Sequence, residues 1–227
     1  MRGKTIRYVV GAAAIGLSSW TAYSGIAWFC YGRRRPAGLC ASLNPWMNDY
    51  EVADRHAVVV SAPVDTTFSA ATAFDIQQSA IIRAIFRSRE WMLGASRAQP
   101  VHMALADWVQ TMGWVRLAEV PGREVIFGAV TRPWEARVVF RSIPADSFAC
   151  FRDPDYVKIV WNLRAELLGR STSLVSTETR VATTSPAART KFRRYWAVLS
   201  PGIVLIRLIA LKMVKRAAER RALQLRR

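Results

Sequence analysis

Residues 186–227 read PAARTKFRRYWAVLSPGIVLIRLIALKMVKRAAERRALQLRR. Apolar residues in this stretch recur at steps of four and three, which places them on one face of a helix. They are Phe192, Trp196, Leu199, Ile203, Ile206, Ala210, Met213 and Ala217. A helix with such a face needs an apolar surface to cover. The stretch therefore predicts a long C-terminal helix that packs on the rest of the chain.

Pro201 lies in the middle of this helical pattern. Proline lacks the amide hydrogen of the helical ladder, and its ring clashes with the preceding turn. We therefore expect a kink or a break near Leu199 and two segments that share one buried direction. The first segment would close over the preceding sheet, and the second, which begins apolar and ends basic, would face a membrane.

The chain before this helix is dominated by strand patterns, with helical patterns near its start. Predicted strands cover His56–Val60, Trp114–Val120, Glu124–Thr131, Arg137–Ile143, Tyr156–Leu167 and Ser171–Thr183, and predicted helices begin near Phe68 and cover Ile76–Trp91 and Ala104–Met112. Strands followed by one long helix predict an α+β fold, with an antiparallel sheet of about six strands and helices on one face.

Alternation in the last two strands assigns their faces. Trp161 falls on the inner face and Asn162 on the outer face. A turn at residues 169–171 sets Asn162 opposite Glu178. A slip of one residue would reverse the faces. We prefer the first register because it keeps the charged side chains together on the outer face.

The charge of the chain is concentrated at its two ends. The 227 residues carry a formal net charge of +17, and 52% hydrophobic composition excludes a disordered chain. Residues 1–35 hold six basic and no acidic residues, residues 186–227 hold twelve and one, and the stretch between them holds fifteen of each. A neutral middle disfavours a nucleic-acid groove, so we expect no nucleic-acid partner.

The stretch Tyr8–Tyr31 contains 24 residues without a charge and has basic residues on both sides. Its length predicts a transmembrane helix. A signal peptide cleaved near Ala22-Tyr23-Ser24 and a buried soluble helix are the alternatives. The predicted organisation is a membrane anchor with basic flanks (1–35), a linker (36–55), a folded domain (56–219) and a basic tail (220–227). The balanced basic flanks leave the orientation of the anchor open, but the tail would suit an anionic cytoplasmic leaflet, which favours a domain on that side.

Residues suited to catalysis are few. His56 and His102 lack a metal-chelating spacing, and the three cysteines form no metal or disulfide pattern, so we expect no metal, no cofactor and no catalytic residue. One polar cluster stands out, Thr177-Glu178-Thr179-Arg180. It could face a ligand together with Asn162, or it could form charged pairs on the outer face of the sheet. Arg132-Pro133-Trp134 could cover a cavity mouth or form a bend at a strand end.

The order of the segments resembles the START-like, polyketide-cyclase and lipid-transfer superfamily, which has the helix-grip fold. The resemblance begins with Ala62-Pro63 followed by Asp65 and Phe68, and it extends over the meander of strands and the last helix. Motifs similar to those of actinobacterial members are Gly128, Arg132-Pro133-Trp134, Phe148, Trp161-Asn162, Thr177-Glu178-Thr179-Arg180, Phe192-Arg193-Arg194-Tyr195-Trp196, Pro201-Gly202 and Ile206-Arg207. The similarity covers roughly residues 52–219.

This resemblance implies a cavity between the sheet and the last helix that holds a hydrophobic small molecule or lipid. The expected lining is Trp114, Phe127, Phe140, Trp161, Leu163, Thr177, Thr179, Trp196, Leu199 and Ile203, with a possible polar site at Arg132, Asn162, Glu178 and Arg180. The same aromatics could instead fill a solid core. We expect a membrane-anchored binding or carrier domain without catalysis. The alternatives are a cyclase or aromatase that uses the same cavity and a regulatory or scaffolding module on a membrane surface.

Overall fold

The computed structural model describes residues 16, 18–32, 40–95, 99 and 101–225. Its helices are α1 (18–30), α2 (Val64–Thr72), α3 (Ala80–Met92), α4 (Leu105–Thr111), α5 (Ala145–Phe148) and α6 (Pro186–Gln224). Its strands are β1 (Val52–Val60), β2 (Val115–Val120), β3 (Glu124–Thr131), β4 (Phe140–Arg141), β5 (Val157–Gly169) and β6 (Thr172–Thr183). Two short 3₁₀ turns cover Ala41–Leu43 and Ile76–Gln78.

The strands form one antiparallel sheet of six strands. Its order is β1-β6-β5-β3-β2, and β4 pairs with β3. Asn162 lies opposite Glu178 and Trp161 opposite Thr179, so the predicted register is confirmed. The predicted α+β class, with a sheet of about six strands and a long C-terminal helix, is also confirmed. Only the strand at Arg137–Ile143 was predicted too long, because two of its residues pair with β3.

Both faces of the sheet are buried, which explains why every residue of β3 is buried. The inner face packs against α2, α3, α4 and α6. Its main core includes Phe127, Leu163, Val175, Leu211 and Val214, and a second inner cluster consists of Val52, Val157, Val181 and Phe192. The outer face is covered by residues 40–50 and α5, with Leu43, Met47, Ile126, Phe148 and Val160 in its cluster.

The predicted linker at 36–55 is wrong for residues 40–55, which belong to the folded domain. Leu43 is fully buried and Met47 is 5% exposed. Strand β1 begins at Val52, four residues before the predicted start. Residues 40–50 form a 3₁₀ turn and irregular chain, from which isolated side chains such as Leu43 and Met47 pack into the core. Their sequence therefore shows no periodic pattern. Residues 36–39 lie outside the described residues.

The predicted break near Leu199 is also wrong, because α6 continues through Pro201 over 39 residues. A proline inside a helix costs about 3 kcal/mol. Burial on both sides of the proline offsets this cost, since Ala197, Ser200 and Gly202 are all buried.

Among the described residues, the one helix with the length and composition to cross a bilayer is α6. A third of its most apolar window is buried, and a core helix of a soluble protein meets the same criteria. The predicted span at 8–31 lies partly outside the described residues, which omit 8–15 and 17. Its described part is helical at residues 18–30.

Candidate functional site

A polar band crosses the inner face of the sheet between its two apolar clusters. It consists of Asp54 and His56 on β1 and Thr177 and Thr179 on β6. The register of the two strands pairs Asp54 with Thr179 and His56 with Thr177. Because side chains alternate along a strand, all four lie on the face that α6 covers. Polar groups at this place need partners, because apolar residues flank them on both sides.

Arg207 on α6 provides a partner for this band. Its guanidinium forms an ion pair with Asp54, whose Oδ1 also lies 3.0 Å from Nε2 of His56. Asp54 is 7% exposed. Burial lowers the pKa of Arg207, and the Asp54 carboxylate opposes that shift. Asp54 therefore contacts both Arg207 and His56, and the three side chains form a partly desolvated polar cluster between the helix and the sheet.

An aromatic wall adjoins the polar band on β5 and β3. The Trp161 ring stacks on Phe127 with centroids 5.3 Å apart, and Trp114 contacts both Trp161, at 6.5 Å, and Phe140, at 5.3 Å. The Trp161 indole donates a hydrogen bond of 2.5 Å to Oγ1 of Thr177. Trp161 stays half-buried although it lies on a central strand under the helical layer. The packing over it is therefore incomplete.

We call the region where the polar band, the aromatic wall and α6 meet the inner cleft. Of the residues predicted to line a cavity, the structure brings Trp114, Phe127, Phe140, Trp161, Thr177 and Thr179 together here. Phe127 and Leu163 both belong to the main core, against which Trp114 and Trp161 pack, whereas Trp196 packs against Phe192 in the second cluster. Leu199 and Ile203 are half-buried on α6, two turns and one turn before Arg207.

The predicted polar site at Asn162, Glu178 and Arg180 does not face the inner cleft. The prediction of its position on the outer face is confirmed, but residues 40–50 bury it there, and Glu178 is 1% exposed. Arg180 Nε donates to Glu178 Oε1 at 2.8 Å, and Asn162 Oδ1 accepts from the Glu178 amide at 2.7 Å. These groups lie on the opposite face of the sheet from the cleft and do not line it.

This outer network fastens the chain segment that precedes β1. The Arg180 guanidinium donates to the carbonyls of Cys40 (2.8 Å) and Met47 (2.9 Å) and to the Asn44 side chain (2.8 Å). The Cys40 amide donates to Glu178 Oε2 at 2.7 Å. Every charged group in the network has partners, as burial requires. Its role is structural, and we call it the outer clamp.

Arg132, the fourth member of the predicted polar site, also lies outside the cleft. Its Nε donates to the Asp155 carbonyl at 3.1 Å, and its guanidinium lies 4.3 Å from the centre of the Tyr156 ring. Trp134 packs with the second apolar cluster. The Arg132-Pro133-Trp134 segment is therefore a bend after β3 that is held by stacking and hydrogen bonds.

The sequence analysis gave no site role to Asp54, named Arg207 only within the Ile206-Arg207 motif, and considered His56 only as a metal ligand. Two features could have identified them. Extending the alternation of β1 backwards from Val60 places Asp54 and His56 on the inner face, and Arg207 is the one charged residue between Arg194 and Lys212. A single charge inside a long apolar helical stretch needs a buried partner.

Helix α1 runs along α6 next to this site. The Trp28 carbonyl accepts a hydrogen bond of 3.0 Å from Arg193, and the Tyr31 ring lies 6.0 Å from Phe192. At the other end of α1, Trp20 lies 3.4 Å from the position that a Cβ on Gly202 would occupy. The two helices are therefore antiparallel, and α1 borders the side of α6 that carries Arg207.

The described residues contain no group of three or more His, Cys, Asp or Glu side chains that could hold a metal ion. Two open grooves lie on the surface of the described residues. One lies at Val120, Arg123 and residues 164–167, and the other at residues 143–154 near Cys150. Neither groove adjoins the inner cleft. Any ligand of the cleft would therefore displace side chains that now close around it.

No protein-family model and no curated protein sequence matches the chain. Solved structures similar to it include a START superfamily protein from Mycobacterium smegmatis, at 15% identity and a TM-score of 0.27, which covers 76% of this chain and 98% of that chain. The Zhui aromatase/cyclase from Streptomyces sp. R1128 has 12% identity and a TM-score of 0.24, with 75% and 94% covered. The di-domain ARO/CYC StfQ from the steffimycin biosynthetic pathway has 13% identity and a TM-score of 0.33, and the match covers 80% of this chain and 55% of that chain.

The structural neighbours therefore include a START superfamily protein and aromatase/cyclases. Similarity this low transfers no ligand and no activity to the present chain.

Proposed function

We propose that the chain is a membrane-anchored, START-like domain that holds a hydrophobic small molecule or lipid in the inner cleft and does not transform it. One observation carries the proposal, namely the Asp54–Arg207 ion pair between two apolar clusters. Binding sites for small apolar molecules commonly combine apolar walls with a few polar groups that orient the ligand. The aromatic wall and the polar band provide both parts.

The ion pair also explains why the cleft would favour a ligand with one polar end. Without a ligand, Arg207 and Asp54 satisfy each other, and His56 adds a contact to the same carboxylate. A hydroxyl, carbonyl or carboxylate group could share these partners, while the apolar part of the ligand packs on Trp161. The uncharged stretch at 8–31 would keep the domain at the membrane that supplies such molecules.

The test uses the full chain in nanodiscs made from one synthetic phospholipid. Solvent extracts of the wild type should contain an apolar compound other than the supplied lipid, in stoichiometric amount by mass spectrometry. The double variant Asp54→Asn/Arg207→Gln should retain much less of it. Asp65→Asn/Arg123→Gln, which removes an exposed ion pair of the same residue types, should retain it fully. If wild-type extracts hold only the supplied lipid, the proposal is wrong.

A cyclase-type enzyme is the second candidate, and the Asp54–His56 contact favours it. A carboxylate that orients an imidazole is a common arrangement for proton transfer. Incubation of the extracted compound with the wild type would then give a new product, and His56→Gln would abolish that conversion without loss of binding. The carrier proposal predicts no conversion by either protein.

A further inference from the structure

The outward side of α6 has an apolar centre and basic ends. Its exposed residues follow helical spacing along one stripe, in the order Arg194, Val198, Leu205, Leu208, Lys212, Arg216 and Arg220. The three apolar members are 41–43% exposed. Between Arg194 and Lys212 the one charged residue is Arg207, which turns inward to Asp54. About 25 Å of helix therefore presents no charge outward, at 1.5 Å per residue.

Helix α1 extends this apolar surface. Gly202 lies on α6 between Val198 and Leu205, and a Cβ added there would lie 3.4 Å from Trp20 of α1 and 3.1 Å from Ile85 of α3. Ile26 and Phe29 on α1 are 61% and 71% exposed. No charged residue occurs in α1 or in the sequence from residue 8 up to it. The two antiparallel helices together present an apolar surface of a kind that soluble monomers rarely expose.

We propose that this outward surface of α1 and α6 lies in the interface of a lipid bilayer. α6 cannot cross the bilayer while its opposite side packs on the sheet, but it can lie in the membrane plane with its outward stripe among the acyl chains. Arg194 at one end and Lys212, Arg216 and Arg220 at the other would contact anionic headgroups. The anionic headgroups of a bilayer complement these basic residues, and its acyl chains suit the uncharged sequence that precedes α1.

This placement brings the inner cleft to the membrane surface. The cleft lies beneath α6, so a ligand could pass between bilayer and cleft beside α1 without crossing water. The inference extends the proposed function, since the direction of exchange rests on a ligand in the cleft. The membrane contact itself does not depend on that ligand.

The experiment measures the depth of α6 with nitroxide labels on the full chain in vesicles of phosphatidylcholine and phosphatidylglycerol. Leu205→Cys carries the label in a Cys30→Ser/Cys150→Ser background, and the native Cys40 stays because it is buried. The matched control is Leu168→Cys, an exposed leucine near the end of β5. Oxygen enters the bilayer, whereas a nickel chelate stays in water. Label 205 should collide mainly with oxygen, and label 168 mainly with the chelate.

Two results would overturn the inference. In the first, label 205 collides with the chelate as often as label 168 does. In the second, strong dipolar coupling between labels at 205 shows that a second copy of the chain covers the surface. Ligand extraction separates this question from the proposed function. If label 205 is exposed to water and the protein still carries a ligand, the membrane contact is refuted and the ligand-binding function is not.

Discussion

Arg180 illustrates at the residue scale how a motif can be noticed in the sequence and misjudged. Its pairing with Glu178 on the outer face follows from strand alternation and could be predicted. Its burial could not, because the covering residues 40–50 show no period. The motif Thr177-Glu178-Thr179-Arg180, which suggested a ligand site, therefore contributes Glu178 and Arg180 to the outer clamp that holds residues 40–50.

The clamp leads to the first prediction. Arg180→Ala should lower the free energy of unfolding by about 3–5 kcal/mol, because it leaves Glu178 charged and buried without its partner. Urea unfolding of the full chain measures the change. Arg123→Ala, which removes an exposed ion pair with Asp65, should cost no more than about 1 kcal/mol. Equal effects of the two variants would show that the clamp does not hold residues 40–50.

Lys158 gives a pH-dependent prediction. Its side chain is buried on the outer face against the Phe148 ring, and Nζ donates to the Ala149 carbonyl at 2.8 Å. Desolvation first, and then the charge of Arg152, lowers its pKa from 10.5 to about 8, whereas Cys150 acts in the opposite direction. Between these two values the unfolded chain binds more protons than the folded one, so Lys158 makes stability rise with pH.

Lys158→Met should remove that rise. The comparison of wild type and variant by urea unfolding at several pH values between 7 and about 10.5 isolates this lysine from other groups that titrate there. Below about pH 8 the variant should be the more stable protein, and its advantage should shrink as pH increases. A difference that stays constant across the range would contradict the lowered pKa.

At the scale of elements, α6 was predicted in position and length but not in continuity. The spacing of its apolar residues was sufficient to predict a long helix that packs with one face against the rest of the chain. The most buried positions in its second half are Leu211, Val214, Ala218 and Ala222, each one residue beyond the predicted stripe or its extension. Strict alternation of threes and fours has a period of 3.5, and a straight helix with 3.6 residues per turn drifts away from it.

Continuity through Pro201 leads to the next prediction. Pro201→Ala should raise the free energy of unfolding by about 1–3 kcal/mol, because it restores an amide to the ladder and removes a ring clash. The matched control is Pro186→Ala at the start of α6, where a proline needs no amide partner and the change should be small. Thermal unfolding of both variants gives the comparison. A loss of stability in Pro201→Ala would mean that the fold requires the local geometry of proline.

At the scale of the whole molecule, the architecture could be predicted but the location of the cleft could not. The order of strand and helix patterns is sufficient for an α+β fold with a long final helix. The cleft depends on the rotation of α6, which brings Arg207 over Asp54, and on β1 starting early enough to include Asp54. Both features depend on tertiary packing, and the sequence alone does not show how β1 pairs with its neighbour.

The distribution of charge over the molecule supports one last prediction. The excess positive charge at the C-terminal end should attract the tail to anionic membranes by about 1 kcal/mol per basic residue near the surface. An environment-sensitive dye at Leu225→Cys, in the Cys30→Ser/Cys150→Ser background, should become brighter in phosphatidylserine vesicles than in phosphatidylcholine vesicles. About 1 M salt should abolish the difference because it shortens the screening length to about 3 Å.

Substitutions show whether the attraction belongs to the tail or to the net charge. Lys212→Gln/Arg216→Gln/Arg220→Gln should remove most of the brightness difference between the two kinds of vesicle. Arg116→Gln/Arg123→Gln/Arg141→Gln removes the same formal charge from exposed side chains of the sheet region and should leave the difference intact. An equal loss in both triple variants would mean that the molecule responds to total charge. The basic end of α6 would then have no special role at the membrane. The proposed role requires the local concentration of charge beside the apolar stripe, and not the net charge of the protein, to attract the tail.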